Sequence, residues 1–299
     1  ISAFDTAPLA PDYKILFEGQ NQVFQAGLDV LAKLTDGKLH LNLRQGETAE
    51  IFTKAKAVEL TYFDGPHPAG NHGIQINKMN PVNKGDVVWT LRPQDVIMIG
   101  RLFVEGHYNA EKVIALAGSE VEKPQYFKSL NGASISAMIK GNLKQTNVRY
   151  ISGNVLTGKK IEKDGYVGFY DNQVSVIPEG DYYDFIGWLK PYHGDKFSFY
   201  RSTLSWLTPK KKYRLNTNLN GGERAFVMTG SFEKVFPMDI YPIQLIKAVM
   251  IGDIDQMEAL GIYEVDEEDF ALCEYISTSK IEIQSIIRSG LDLMRKEMS

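Results

Sequence analysis

Asp64-Gly65-Pro66-His67-Pro68-Ala69-Gly70-Asn71-His72-Gly73 is the stretch of this chain best equipped for chemistry. Its three glycines tolerate positive φ and close backbone approach, while its two prolines fix φ and push their predecessors towards extended geometry. Such a loop is stiff, has few side chains, and suits holding a ligand against its backbone. Gly65 and Gly70 stand at P-loop spacing, but Asn71 and His72 follow where phosphate chemistry needs Lys and a hydroxyl. A nucleoside triphosphatase is therefore excluded, and the G-x-G-x-x-G dinucleotide fingerprint is absent throughout. Two histidines five apart, with no cysteine nearby, fall short of the three ligands of a catalytic zinc.

Elsewhere the reactive residue types read as structure. Asp266-Glu267-Glu268-Asp269 fits the negative first turn of a helix better than a metal site, and Asp64 fits an Asx-type turn. Lys210-Lys211-Lys212 with Arg214 is the one basic run. Most such runs are solvated loops, although an anionic membrane would attract it by about 1 kcal/mol per charge. Cys273 is the only cysteine, which rules out both an intramolecular disulfide and a cysteine-ligated iron–sulfur cluster built from this chain alone. No nucleophile, acid and base stand at a spacing that would make a triad.

With 299 residues, 43% hydrophobic and 23% charged, the chain can form two or three domains with real cores. A net charge of −4 leaves no electrostatic footprint for nucleic acid. No apolar run approaches the roughly 18 residues needed to cross a bilayer. Ile1-Ser2-Ala3-Phe4-Asp5 offers no secretory signal, and a first residue other than Met suggests a truncated or processed chain.

These residues need elements to hold them. Asn21 can cap a helix running through Lys33, with Val23, Phe24, Leu28, Leu31 and Leu34 on one face and Gly37 at its end. Leu39, Leu41 and Leu43 alternate with His40 and Asn42 in a strand whose His40 faces solvent. A helical turn from Thr48 or Glu50 and a strand from Ala57 to Phe63 follow. This order suggests a parallel layer of Rossmann type. Beyond the glycine loop, 73–77 and 86–91 read as strands, 93–106 as a helix and 112–117 as a buried strand. Gly118, Val121, Pro124, Tyr126, Phe127, Gly132, Ile135 and Ile139 match the soluble-ligand-binding β-grasp (SLBB) pattern of strand, Pro turn, strand, Gly and short helix. Its plainest reading is a packing module without a ligand. Residues 166–176 read as a hairpin with an Asp-Asn turn. Tyr182, Tyr183, Phe185, Trp188, Tyr192, Phe197, Phe199, Tyr200 and Trp206 form an aromatic cluster suited to core or protein interface. Helices follow at 240–251, 254–260, 266–276 and 280–297, the last with Ser279 and Glu282 in capping-box register ahead of Ile283, Ile286, Ile287, Leu291 and Met294.

The glycine loop, with IQINKMNPVNKGDVVWTLRPQDVIMIGRLFVEG after it and ISAFDTAPLAPD at the start, resembles the A-subunit family of the bacterial Na⁺-translocating NADH:quinone reductases (Na⁺-NQR). That family carries a Gly-Pro-His-Pro-Ala-Gly loop at this place, and the resemblance covers essentially the whole chain. It implies an N-terminal lobe, similar to lipoyl carrier domains, that this fragment lacks. The expected architecture is α/β, with a Rossmann-like domain over 1–116, an SLBB-type β-grasp module over 117–154, a return hairpin and aromatic segment over 155–206, and a helical domain over 207–299. The module order also resembles the NADH-oxidising flavoprotein subunit of respiratory complex I and the C subunit of the Rnf complex. Those relatives use a glycine-rich nucleotide loop or a Cys-x-x-Cys-x-x-Cys cluster motif. Here the tail reads Cys273-Glu274-Tyr275-Ile276, so this chain is expected to bind no cofactor. NADH, flavins and the iron–sulfur centre would belong to other subunits.

The resemblance implies a peripheral subunit on the cytoplasmic face of the bacterial inner membrane, docked to integral membrane subunits and contributing to ubiquinone reduction coupled to Na⁺ export. Gly65, His67, Gly70 and His72 are the candidate quinone contacts. The alternatives are a cofactor-free scaffold that only orients its partners and a residual NADH-binding diaphorase, which the missing fingerprint disfavours.

Overall fold

Two sheets of different kinds divide the strands. The structure, a computed structural model, describes residues 1–183, 185, 196–200, 205–208 and 210–298. In the first part, α1 (Tyr13–Leu16), α2 (Asn21–Leu34), β1 (His40–Arg44), α3 (Glu50–Thr53), β2 (Glu59–Phe63), α4 (His72–Met79) and α5 (Pro93–Glu105) follow one another. β1 and β2 pair in parallel, with His40 opposite Glu59 and Arg44 opposite Phe63. The first residues extend this layer, because Ala3 N donates to Asn42 O and Asn42 N to Ile1 O, both at 2.8 Å. Parallel pairing requires a crossover over one face, and the helices provide it. Phe24, Leu28, Phe52, Val96 and Ile97 bury Leu41 and Leu43 of β1 in one core.

The sequence expectations hold here for α2, β1, α3, β2 and α5, and fail in three places. Gln20, not Asn21, is the N-cap of α2, and the helix ends at Leu34 with Thr35 extended, ahead of Gly37. Residues 73–77 are helical within α4, not a strand. Ile74 and Ile76 have strand-like alternation, but Ile74 packs into the C-terminal helical core while Gln75 turns back to Asn42. Residues 86–91 form no strand, and Val87 and Trp89 stand 79% and 86% exposed. They are β-prone, but no strand lies alongside them among the described residues.

The second part contains β3 (Glu111–Ala117), β4 (Gln125–Leu130), α6 (Ser136–Ile139), β5 (Val148–Ser152), β6 (Lys159–Ile161) and β7 (Gln173–Pro178). They form a mixed sheet in the order β4-β3-β7-β5-β6, in which only β3 and β7 run parallel. Gly118, the turn to β4, Gly132 and α6 follow the expected SLBB sequence. The hairpin expected over 166–176 is absent. A turn closes earlier, with Asp171 N donating to Gly168 O at 3.1 Å while its carboxylate accepts the Ser152 hydroxyl at 2.5 Å, and β7 pairs with β3 and β5.

Every regular element after Ser231 is helical among the described residues. A 3₁₀ turn at Phe232–Lys234 precedes α7 (Pro242–Ile251) and α8 (Ile254–Ala259), and two more, at Ile262–Glu264 and Glu267–Phe270, lead from α8 to α9 (Ala271–Ile276), which α10 (Ile283–Met298) follows. Segment 266–276 enters through the last of these turns before α9 begins. The expected capping box at Ser279 does not form. That serine is buried and its hydroxyl donates to Ala225 O at 2.9 Å, so α10 starts later, at Ile283. Ile283, Ile287 and Met294 are buried against α7, with Cys273 in the same core. Of the aromatic interval, Tyr182, Tyr183, Phe185, Phe197, Tyr200 and Trp206 are exposed rather than core. Trp188 and Tyr192 lie outside the described residues. Among the described residues, no helix is long and apolar enough to cross a membrane.

Candidate functional site

Ligands of parallel α/β layers bind beyond the carboxyl ends of the strands, and the glycine loop lies there. It leaves β2 at Phe63 and folds on itself through Ala69 N to Pro66 O at 2.9 Å and Asn71 N to Pro68 O at 2.8 Å, with the His67–Pro68 peptide cis. Gly65 has φ +131°, which an L side chain rarely adopts. Gly70 is pressed against the residues that follow the N-terminal edge: a Cβ there would come within 2.6 Å of Phe4 O and Thr6 N. Its own N–H donates to Thr6 Oγ1 at 2.8 Å.

The two histidines have different fates. His67 Nδ1 meets Thr6 Oγ1 at 3.2 Å. Nε2 is buried and has no partner among the described residues, and burial lowers the imidazole's pKa, so the neutral ring keeps one nitrogen uncommitted. His72 is committed instead. Its Nε2 lies 3.3 Å from Leu91 O, a carbonyl that can only accept, and burial pushes its pKa down to about 4.

At the start of α4 the loop meets the acidic turn. Asn71 does not cap its own helix; its Nδ2 donates to Glu268 O at 3.2 Å and to Asp269 Oδ1 at 3.3 Å. A Cβ on Gly73 would stand 2.1 Å from Asp269 Oδ2, so only glycine admits this carboxyl to the first turn of α4. An acid at a helix N-terminus is favourable when ionised, but here burial dominates and raises the Asp269 pKa to about 7. The neighbouring Glu268 carboxyl is raised too, by burial and then by Asp266. Asp269 also closes its own capping box by accepting from Asp266 N at 3.1 Å. The acidic run is therefore the helix-entry turn its sequence suggested, and in addition a clamp on the loop.

Together these residues enclose a polar cleft of about 40 Å³, lined by Asp5, Tyr13, His67, Gly70, His72, Arg92, Asn154, Thr157 and Glu268 among others. It lies where all three parts of the chain meet. Of the four candidate quinone contacts, His67, Gly70 and His72 line it and Gly65 does not. This exceeds the roughly 10–15 Å³ that one water needs, so the cleft has room for a small polar group. Sequence reasoning missed Asp5, Asn71, Arg92 and the acids that complete the cleft. Arg92 reaches it as the N-cap residue of α5, with Nη1 donating to Tyr170 O at 2.8 Å. Nothing local marks such residues, because they converge from distant segments. Among the described residues, no group of three or more His, Cys, Asp or Glu could hold a metal.

A family model of the NqrA second alpha/beta domain matches residues 1–108, and one of the NqrA C-terminal domain matches residues 113–163. The chain is 41% identical over 298 residues to the A subunit of the Na(+)-translocating NADH-quinone reductase of Hahella chejuensis and to that of Neisseria meningitidis serogroup B, and 40% identical over 300 residues to that of Yersinia pestis. In each case 99% of this chain aligns with 66% of the relative, so the chain spans about two thirds of the length of the relatives it matches. Two family-specific domain matches in chain order, together with this identity along nearly the whole chain, place it in the A-subunit (NqrA) family of the Na(+)-translocating NADH-quinone reductases.

Proposed function

We propose that this chain is the part of the A subunit that sits peripherally on the cytoplasmic face of the bacterial inner membrane, docks to the integral subunits, and contributes to ubiquinone reduction coupled to Na⁺ export without a redox centre of its own. NADH, flavins and the iron–sulfur centre then belong to other subunits. The reading divides the chain into a Rossmann-like domain, an SLBB module and a C-terminal helical domain.

The observation that carries the quinone contact is His67, which lines the polar cleft and has a ring nitrogen, Nε2, with no partner among the described residues. A quinone would lower one carbonyl to His67 and rest its ring on the rim near Gly65. In the assembled complex, H67F should weaken ubiquinone affinity about 5- to 10-fold, the worth of one hydrogen bond. H72F should instead cost stability and leave affinity alone. Unchanged affinity in a folded H67F complex would remove the loop contact from the proposal.

A second reading, a scaffold that orients its partners and binds no quinone, draws support from how thoroughly the loop is used inside the fold. Gly70, Asn71 and His72 all spend their polar groups on the chain itself. Titrating the chain with ubiquinone analogues separates the two: saturable binding favours quinone contact, and silence favours the scaffold.

A further inference from the structure

The basic run has a structural context that its sequence did not reveal. Its far end is pinned. Arg214 reaches Glu120, a fully buried carboxylate, with Nε to Oε1 at 2.7 Å and Nη2 to Oε2 at 2.8 Å. Tyr213 packs edge-on to Phe197 at 5.7 Å between centroids, and Phe197 lies 5.6 Å from Tyr275 of α9. Lys211 folds back over the Tyr213 ring at 5.3 Å. Arg214, Tyr213 and Lys211 are therefore each held by a contact within the protein, although the Arg214 side chain remains 52% exposed.

The near end turns outward. Trp206 and Leu207, in a single 3₁₀ turn, are 57% and 59% exposed, and Lys210 and Lys212 are exposed beside them. Neither lysine makes an ion pair among the described residues. Two large apolar side chains and two ammonium groups thus project from a segment anchored on both the SLBB sheet and the helices, in a protein whose net charge is −4. Trp is the side chain best suited to the boundary between hydrocarbon and headgroups, and lysines beside it find anionic headgroups at the same depth.

We propose that Trp206, Leu207, Lys210 and Lys212 form a contact site for the headgroup region of an anionic lipid surface. Charge complementarity commits the site to lipid: the ammonium groups meet lipid phosphates while the indole and leucyl side chains enter the interface. Two apolar residues and two charges give weak, reversible binding, suited to orienting a protein that other contacts already hold at the membrane. The inference rests on the peripheral placement proposed above.

The test is co-sedimentation of the full chain with phosphatidylcholine vesicles and with equimolar phosphatidylcholine–phosphatidylglycerol vesicles. Binding is expected only to the anionic vesicles and should weaken as salt rises. K210Q/K212Q should weaken it about 30-fold, and W206A several-fold, with circular dichroism confirming the fold of each. Equal binding to neutral vesicles, no binding to anionic ones, or variants that bind like the parent would overturn the proposal. If K210Q/K212Q kept its vesicle binding but no longer co-purified with the integral subunits, the segment would face an acidic protein surface. That result would overturn the lipid contact and leave the peripheral placement standing. Should the unmodified protein fail to join the complex at all, the placement itself falls, whatever the vesicles show.

Discussion

Replacing Asp269 with Asn should change how stability depends on pH, not merely lower it. Asp269 is 1% exposed, and burial, followed by Glu268 and Asp266, raises its pKa from 3.8 to about 7, against the pull of its bonds from Asp266 N and Asn71. His72, Arg92 and Asp5 stand around the same junction from α4, the start of α5 and the N-terminal segment, and Arg288 of α10 pairs with Asp266. The sign follows from linkage. A carboxyl whose folded pKa is raised binds protons more tightly when folded, so its stabilising contribution is complete below about pH 4 and is lost as pH rises through about 7. At about 1.4 kcal/mol per pH unit, the loss between about pH 5 and about pH 7.5 is on the order of 2–3 kcal/mol. D269N cannot ionise. Its amide also offers one acceptor oxygen where Asp269 accepts from both Asp266 N and Asn71 Nδ2, so the variant should be the less stable protein at low pH. Its deficit should then shrink by about that amount as pH rises. Urea unfolding of both proteins at the two pH values measures the difference directly. Parallel curves, with a constant gap, would refute the claim that a protonated Asp269 is what the junction prefers.

Gly70→Ala should destabilise the chain by about 1–3 kcal/mol, since its Cβ would meet the backbone at Phe4 and Thr6 at 2.6 Å; a thermal melt reads this. Cys273 is buried and burial raises its thiol pKa, so a thiol reagent should leave the native chain unmodified and react stoichiometrically in denaturant. Glu120→Gln should cost about 1.5–3 kcal/mol by chemical denaturation, because it breaks a bidentate pair with Arg214 at a fully buried position.

Local signals were enough wherever an element's ends and its buried face are set by its own residues. α5 begins at Pro93, ends at Gly106 in the left-handed conformation, and buries Val96 and Ile97, all of it legible in the sequence. The turn from β3 to β4 and the short α6 were equally legible, because glycine and proline impose their own geometry. α4 was not. Its Ile74 and Ile76 alternate like a strand, and what makes it a helix lies far away: Asp269 on its first turn, Asn77 bonded to Glu264 at 2.7 Å, and a C-terminal core waiting for Ile74. Residues 86–91 show the converse, strand-prone residues with no neighbouring strand to pair with.

The candidate site divides along the same line. Composition alone pointed to the glycine loop and to both histidines, because glycine and proline at that density stiffen a chain whatever surrounds it. Which histidine keeps an uncommitted ring nitrogen was decided by Thr6 and Leu91, and the lining of the cleft by Asp5, Arg92 and Glu268. Short-range steric preferences travel with the residues themselves; hydrogen-bond partners and desolvation exist only once distant segments have been brought together.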